Sequence, residues 1–241
     1  MTDQLPGLDD IQTQKWVELI ERRTGVSIPP ERKSFMLVSL RACIRASDAG
    51  DYDDYYRRLT TGGGWSPEWS MLMDRITVHE TSFFRHAPSL ELLITDILPA
   101  FLARNPDCGR GFHAWSLGCA TGEEPYSLAM VIEDYMGWRP DGAMFGITAT
   151  DISQPSLETG RKGVYNERRL VGVPKEMRGR CFRSLGDGMY QVVDRLRRRI
   201  CFSRVNVMQL ERFPLRDLDL IYCQNMLIYF SRERRHELLA Q

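Results

Sequence analysis

A chain of 241 residues, 43% hydrophobic and 27% charged, is long enough to bury one large core or two modest ones, and its composition is that of an ordinary globular protein. The 32 Lys and Arg are balanced by 32 Asp and Glu, so no global field selects nucleic acid or an anionic membrane, and any charged partner must be met by a local patch. Six scattered cysteines (Cys43, Cys108, Cys119, Cys181, Cys201, Cys223) with no Cys-x-x-Cys pair fit neither a disulfide scaffold nor a zinc site and point to reduced, largely buried thiols in a cytoplasmic protein. Residues 1–10 are polar and acidic, and no apolar run approaches the roughly 20 residues that span a bilayer, so neither a signal peptide nor a membrane anchor is expected.

Residues 1–78 are expected to form a small all-helical N-terminal domain. Asp9 or Asp10 can cap a first helix with Trp16, Leu19 and Ile20 on one face, and Gly25 stops it. Pro29 and Pro30 open a second helix with Phe35, Met36, Leu37, Leu40 and Ile44 on its apolar side. Arg41 and Arg45, four apart, project together from the other side, following Arg32 and Lys33. This basic face reads either as a solvated surface or as a docking face for an acidic protein helix. A short third helix over 51–59 turns Tyr52, Tyr55, Tyr56 and Leu59 inward. Gly62-Gly63-Gly64 is read as a flexible link, and Ser66-Pro67-Glu68 then supplies cap, first-turn proline and acid for a helix carrying Trp69, Leu72, Met73 and Ile76.

Residues 79–88 read as a linker. His79-Glu80-Thr81-Ser82-Phe83-Phe84-Arg85-His86 holds too many polar residues around its Phe pair for a regular core element, and an Arg directly after two aromatics can be held rigidly and aimed into a cleft. His79 and His86 have no third ligand at metal spacing, so both are read as structural and no metal is expected. Pro88 starts an amphipathic helix with Leu90, Leu93, Ile94, Ile97, Leu98 and Phe101 inward.

From residue 112 strands and helices alternate: a strand over 112–117, a helix over 124–136, and a strand over 143–150 ending in Asp151. Between the first strand and its helix lies Gly118-Cys119-Ala120-Thr121-Gly122-Glu123-Glu124-Pro125, a tight turn at the carboxyl end of a buried strand, where nucleotide-type ligands bind. The spacing is Gly-x-x-x-Gly, so the pyrophosphate fingerprint is absent, and two Glu at the helix N-terminus oppose a polyanion. A cationic adenosine cofactor suits these carboxylates, and S-adenosylmethionine is the obvious candidate. The structural alternative is that acids in a first helical turn simply complement the dipole. Asp151, 33 positions after Gly118, stands where an adenosine ribose is gripped, although the dinucleotide fingerprint places its acid only about 20 residues on.

Residues 186–204 read as an inserted antiparallel hairpin: a Gly-Asp-Gly turn, strands over 189–193 and 200–203, and a basic connection of Arg195, Arg197, Arg198 and Arg199. Its exposed edge could bind a peptide by strand addition. Residues 219–223 then return as a buried strand ending in Gln224 and Asn225, with Tyr229 beyond and Ser231 capping a last helix.

Taken together, Thr81-x-Phe83-Phe84-Arg85, Trp115-Ser116-x-Gly118-x-x-Thr121-Gly122-Glu123-Glu124-Pro125-Tyr126-Ser127, Thr150-Asp151-Ile152, Val205-Asn206 and Ile221-x-Cys223-x-Asn225-x-Leu227-Ile228-Tyr229-Phe230 resemble the CheR-type chemotaxis-receptor glutamate O-methyltransferases. The resemblance implies an α/β fold: a helical N-terminal domain (1–78), the linker 79–88, and a doubly wound, Rossmann-like methyltransferase domain (89–241) with an inserted antiparallel subdomain. It also implies S-adenosylmethionine as methyl donor, S-adenosylhomocysteine as product, and glutamates of a cytoplasmic helical receptor bundle as acceptors, met by a monomeric enzyme with the Arg41 and Arg45 face as docking surface.

Position by position, the resemblance implies that His79, Thr81, Arg85, Gly118, Glu124, Asp151, Asn206, Val207, Gln224 and Asn225 contact the cofactor. Glu124 would meet its methionine end, Asp151 its ribose, and Asn206 and Val207 its adenine; Arg85 and Tyr229 would lie closest to the transferred methyl. His79 stands where the family usually has Asn, and Gln224 where it usually has Arg. The family's sheet continues past the point corresponding to Gln241, so the end of the sheet is expected to be missing. The competing expectations are a cofactor-binding adaptor of a chemosensory array without efficient catalysis and, more distantly, a nicotinamide-dependent oxidoreductase.

Overall fold

In the computed structural model, which describes residues 5–61, 66–106, 109–137, 144–213 and 215–240, the first helix begins at a complete capping box. The Asp9 carboxylate accepts from the Gln12 amide at 2.7 Å, and the Gln12 side chain accepts from the Asp9 amide at 3.1 Å. The expected Gly62-Gly63-Gly64 link, Cys108 and the expected strand start at Ala143 lie outside the described residues. Two compact units are present: one of Met1–Val78, Asn206–Arg212 and Leu227–Gln241, the other of His79–Val205 and Phe213–Met226.

The first unit contains α1 (Asp10–Thr24), α2 (Lys33–Ala46), α3 (Tyr52–Thr61) and α4 (Pro67–Ile76). Gly25 ends α1 with φ +74, and a Cβ there would lie 2.5 Å from Met208 Sδ and 2.9 Å from Phe230 Cε1, so both backbone and packing require glycine. A 3-10 turn at Pro30–Arg32 leads into α2. Met36, Leu40, Cys43 and Ile44 form the buried face of α2, whereas Phe35 is 48% exposed. The expectation that Phe35 belongs to the apolar side is therefore corrected: one residue is about 100° of helix, enough to carry it off a seam set by Met36 and Leu40. The Trp69 indole in α4 donates to Leu59 O at 2.7 Å, satisfying a fully buried donor. The later segments belong to this same unit: Ser27 N donates to Tyr229 O at 2.8 Å, Val26 bridges Phe230, and Ser231 caps α11 (Arg232–Leu239), whose number follows from the helices of the second unit.

The second unit opens with α5 (Ala87–Leu92), a π turn at Leu93–Ile97, and α6 (Leu98–Arg104). Ile94 is 41% exposed and not inward as expected, because a π turn inserts an extra residue and rotates the face that a 3.6-residue period assigns. Next come β1 (Phe112–Leu117), α7 (Glu123–Met136), β2 (Phe145–Asp151), α8 (Gln154–Lys162), β3 (Val164–Asn166), α9 (Lys175–Cys181), β4 (Phe182–Gly186), β5 (Met189–Val192), α10 (Asp194–Arg197), β6 (Ile200–Arg204) and β7 (Leu220–Tyr222). The four parallel strands lie in the order β6-β2-β1-β7. The chain walks outward from β1 to β6 and returns on the other side of β1, which creates a topological switch point between β1 and β7.

A separate antiparallel sheet runs β3-β5-β4. The Gly-Asp-Gly turn does make a hairpin, but it joins β4 to β5, and residues 200–204 pair in parallel with β2 in the main sheet. This corrects the expected 186–204 hairpin. Ile200 and Phe202 find their buried surroundings against β2, while β4 beyond Phe182 exposes every residue and has no apolar alternation to announce it. The basic residues at 195–199 lie in α10 and the turn after it, not in a hairpin connection.

Candidate functional site

The turn leaving β1 is built on left-handed backbone at Gly118 (φ +77), Ala120 (φ +46) and Gly122 (φ +97). Gly118 N and Cys119 N both donate to Thr150 O, at 2.8 and 2.9 Å. Ala120 N donates to Asp151 Oδ2 at 2.8 Å, and Ser153 N donates to Asp151 Oδ1 at 2.9 Å. Asp151 is thereby fixed between the turn and the start of α8. Burial pushes its carboxyl up, opposed by the Ser153 and Ala120 amides and by His79.

Glu124, in the first turn of α7, sits between the carboxyl ends of β1 and β7. Ser116 Oγ donates to its Oε1 at 2.7 Å. Burial pushes its carboxyl up to about 8, against the pull of the Ser116 hydroxyl, the Gln224 backbone amide and the Arg85 guanidinium. Its neighbour Glu123 is fully buried and already partnered: Thr121 Oγ1 donates to it at 2.6 Å and Arg169 Nη1 at 3.0 Å. Of the two first-turn acids, Glu124 is the one left to a ligand at the switch point.

The segment at 79–86 packs within this unit. Phe83 is buried edge-on against the rings of Tyr165 and Phe182, with centroids 5.0 and 5.4 Å away. Phe84, at φ +54, donates its amide to Ser127 Oγ at 2.9 Å. Arg85 carries an exposed side chain whose Nη1 donates to Glu80 O at 2.7 Å. Gln224 Nε2 donates to Ser89 Oγ at 3.0 Å, and Asn225 follows with φ +56 and an exposed side chain. A Cβ on Gly118 would lie 2.9 Å from Met226 Cγ, so the close approach of the β1 and β7 loops depends on this glycine.

Hydrogen bonds or electrostatic contacts thus connect His79, Asp151, Glu124, Gln224 and Arg85, and Gly118 adjoins them through Thr150 and Met226. Thr81 is tied to the same cluster through Arg169, whose Nη1 donates to Thr81 O at 3.1 Å. Asn206, Val207 and Tyr229 belong to the other compact unit. There Asn206 Nδ2 donates to Arg23 O at 2.7 Å, and the Tyr229 ring faces the Arg32 guanidinium at 5.9 Å. Sequence reasoning did not single out Arg169; its signal, one Arg in a basic loop 46 residues beyond Glu123, is indistinguishable from a solvated charge. Cys201 is exposed and Cys223 half-buried, whereas Cys43, Cys119 and Cys181 are buried as expected.

Half-buried acids at the switch point, a glycine turn without the phosphate fingerprint, and the parallel order β6-β2-β1-β7 suit a cationic adenosine cofactor and define an S-adenosylmethionine-dependent methyltransferase domain. Family models agree with that class: one described as "CheR methyltransferase, SAM binding domain" matches residues 79–241, and one described as "CheR methyltransferase, all-alpha domain" matches residues 11–77. The chain belongs to the CheR methyltransferase family. It is 30% identical to chemotaxis protein methyltransferase 2 of Pseudomonas aeruginosa, over 93% of this chain and 78% of the relative. It is 28% identical to the chemotaxis protein methyltransferases of Borreliella burgdorferi (94% of this chain, 80% of the relative) and Escherichia coli (100% and 81%). No described helix is long and apolar enough to cross a membrane.

Proposed function

We propose that this enzyme methylates glutamate side chains of a chemoreceptor's cytoplasmic helical bundle, forming methyl esters and releasing S-adenosylhomocysteine, and that it acts as a cytoplasmic monomer. The observation that carries the reading is the pair Glu124 and Asp151, two half-buried carboxylates held by backbone amides and a serine at the switch point of a CheR-family domain. When bound, S-adenosylmethionine supplies an electrophilic methyl on a positively charged sulfur. Glu124 would hold its ammonium and Asp151 its ribose hydroxyls, with His79, Thr81, Gly118, Gln224 and Asn225 as further contacts and Asn206 and Val207 assigned to the adenine.

A surface glutamate is already ionised at neutral pH, so the chain need supply no general base. Its task is alignment, an effect that can be worth about 7–11 kcal/mol. Arg85 carries an exposed guanidinium beside Glu124 and is assigned to carboxylate binding, and the Tyr229 hydroxyl to orienting the acceptor. On the helical unit, Arg45 is exposed whereas Arg41 is half-buried and donates through Nε to the Tyr52 hydroxyl at 2.8 Å, so Arg45 is the freer docking charge. Phe35, Val38, Ala42 and Arg45 line the outer face of α2 at the spacing that meets a helical bundle.

The test is S-adenosylhomocysteine binding by calorimetry, followed by transfer of labelled methyl groups to a purified receptor cytoplasmic domain. Binding together with base-labile label on receptor glutamates is expected. A folded chain that binds without transferring methyl groups would overturn the enzyme reading in favour of an adaptor.

A further inference from the structure

The inserted antiparallel subdomain and its connections do more than decorate the sheet, because one side chain from the 3-10 segment Glu167–Gly172 reaches two parts of the cofactor crevice at once. Arg169 Nη1 donates to Glu123 Oε1 at 3.0 Å and to Thr81 O at 3.1 Å. Glu123 opens α7 next to Glu124, and Thr81 precedes Arg85 by four residues. The Glu123 carboxylate has no exposed surface, so its charge depends on Arg169 and the Thr121 hydroxyl. The same 3-10 segment is pressed against the Phe-Phe pair: a Cβ on Gly172 would lie 2.4 Å from Phe83 O, which leaves room only for glycine.

We infer that Arg169 is a positioning residue for methyl transfer, a guanidinium supplied by the inserted region that clamps the first turn of α7 to the Thr81–Arg85 segment and so sets the cofactor crevice. Arg169 touches neither Glu124 nor Asp151; it acts through Glu123 and the Thr81 carbonyl. Events at the inserted sheet are thereby coupled to the cofactor site through one side chain, 43% exposed. A merely structural ion pair would affect stability alone, and the domain contains such a comparison in Arg195–Glu133, at 3.1 Å on the far end of α7.

The inference rests on the cofactor reading of the crevice, and calorimetry with S-adenosylhomocysteine on the full chain separates the two. Arg169→Met is expected to weaken binding about tenfold, and Arg169→Lys, which keeps a donor of the same charge, to recover most of that loss. The double variant Glu123→Gln/Arg169→Met removes the uncompensated buried charge and is expected to regain the thermal midpoint while binding stays about tenfold weak, since the Thr81 link is still absent. Arg195→Met should lower the midpoint without changing affinity. Binding within twofold of wild type by folded Arg169→Met, or by the double variant if the single one does not fold, would overturn the inference alone. Failure of the wild-type chain to bind would overturn the cofactor reading and this inference with it.

Discussion

Glu124 shows how burial moves the carboxyl of an ordinary acid. Its carboxyl is raised in the folded state from 4.5 to about 8, with burial as the leading cause. A group raised in this way favours the folded state below its unfolded value and loses that contribution as pH rises through the folded one. The thermal midpoint of the ligand-free chain should therefore fall between about pH 5 and pH 8, while S-adenosylhomocysteine affinity rises over the same interval as the carboxylate becomes available to an ammonium. Calorimetry in buffers of different ionisation heat should detect a proton released on binding below pH 8, and Glu124→Gln should flatten both trends; a pH-independent affinity would remove Glu124 from the ammonium contact. Arg85 is exposed, donates to Glu80 O and acts on Glu124 through charge, so its side chain can be removed with little packing cost. Arg85→Ala should cut methyl transfer by at least about a hundredfold, the scale of losing an aligned charged contact, with the thermal midpoint unchanged. Near-normal turnover would rule that role out.

At the scale of elements, the turn after β1 depends on backbone that only glycine adopts freely. Gly118→Ala should cost about 1–2 kcal/mol for φ +77 and displace Met226 from the β7 loop, weakening S-adenosylhomocysteine binding in a chain that still folds; unchanged affinity would show that this loop contact does not shape the crevice. On α2, the exposed Arg45 and the Tyr52-bound Arg41 are not equivalent. Arg45→Glu should raise the receptor KM several-fold with cofactor affinity intact, whereas Arg41→Glu should also lower the midpoint by breaking its contact with α3. A cofactor defect in Arg45→Glu would mean general damage instead of lost docking.

For the whole molecule, the helical unit is discontinuous: residues at 206–212 and 227–240 complete what residues before 79 begin. Phe230 is buried against Gly25 and bridged to Val26, more than 200 positions earlier in the chain. Phe230→Ala should destabilise this unit by about 3–5 kcal/mol, and tryptophan fluorescence of Trp16 and Trp69 should report its unfolding at a lower denaturant concentration. An unchanged transition would show that the N-terminal helices stand alone.

An aspartate cap at Asp9 or Asp10, the stop at Gly25, the Ser66-Pro67 start, the glycine turn and the acid ending β2 were all legible in the sequence, because each rests on interactions within a few residues. Family motifs extended that reading to the cofactor and its class of chemistry. What the sequence could not decide were features created by distant partners. Residues 200–204 became a central-sheet strand because β2 offered a parallel neighbour; Ile94 turned outward because a π turn broke the helical period; and Arg169 met the buried Glu123 carboxylate because folding carried it there. Local propensity and spacing are written along the chain, but which charge meets which, and which strand finds which edge, is fixed only when the core closes.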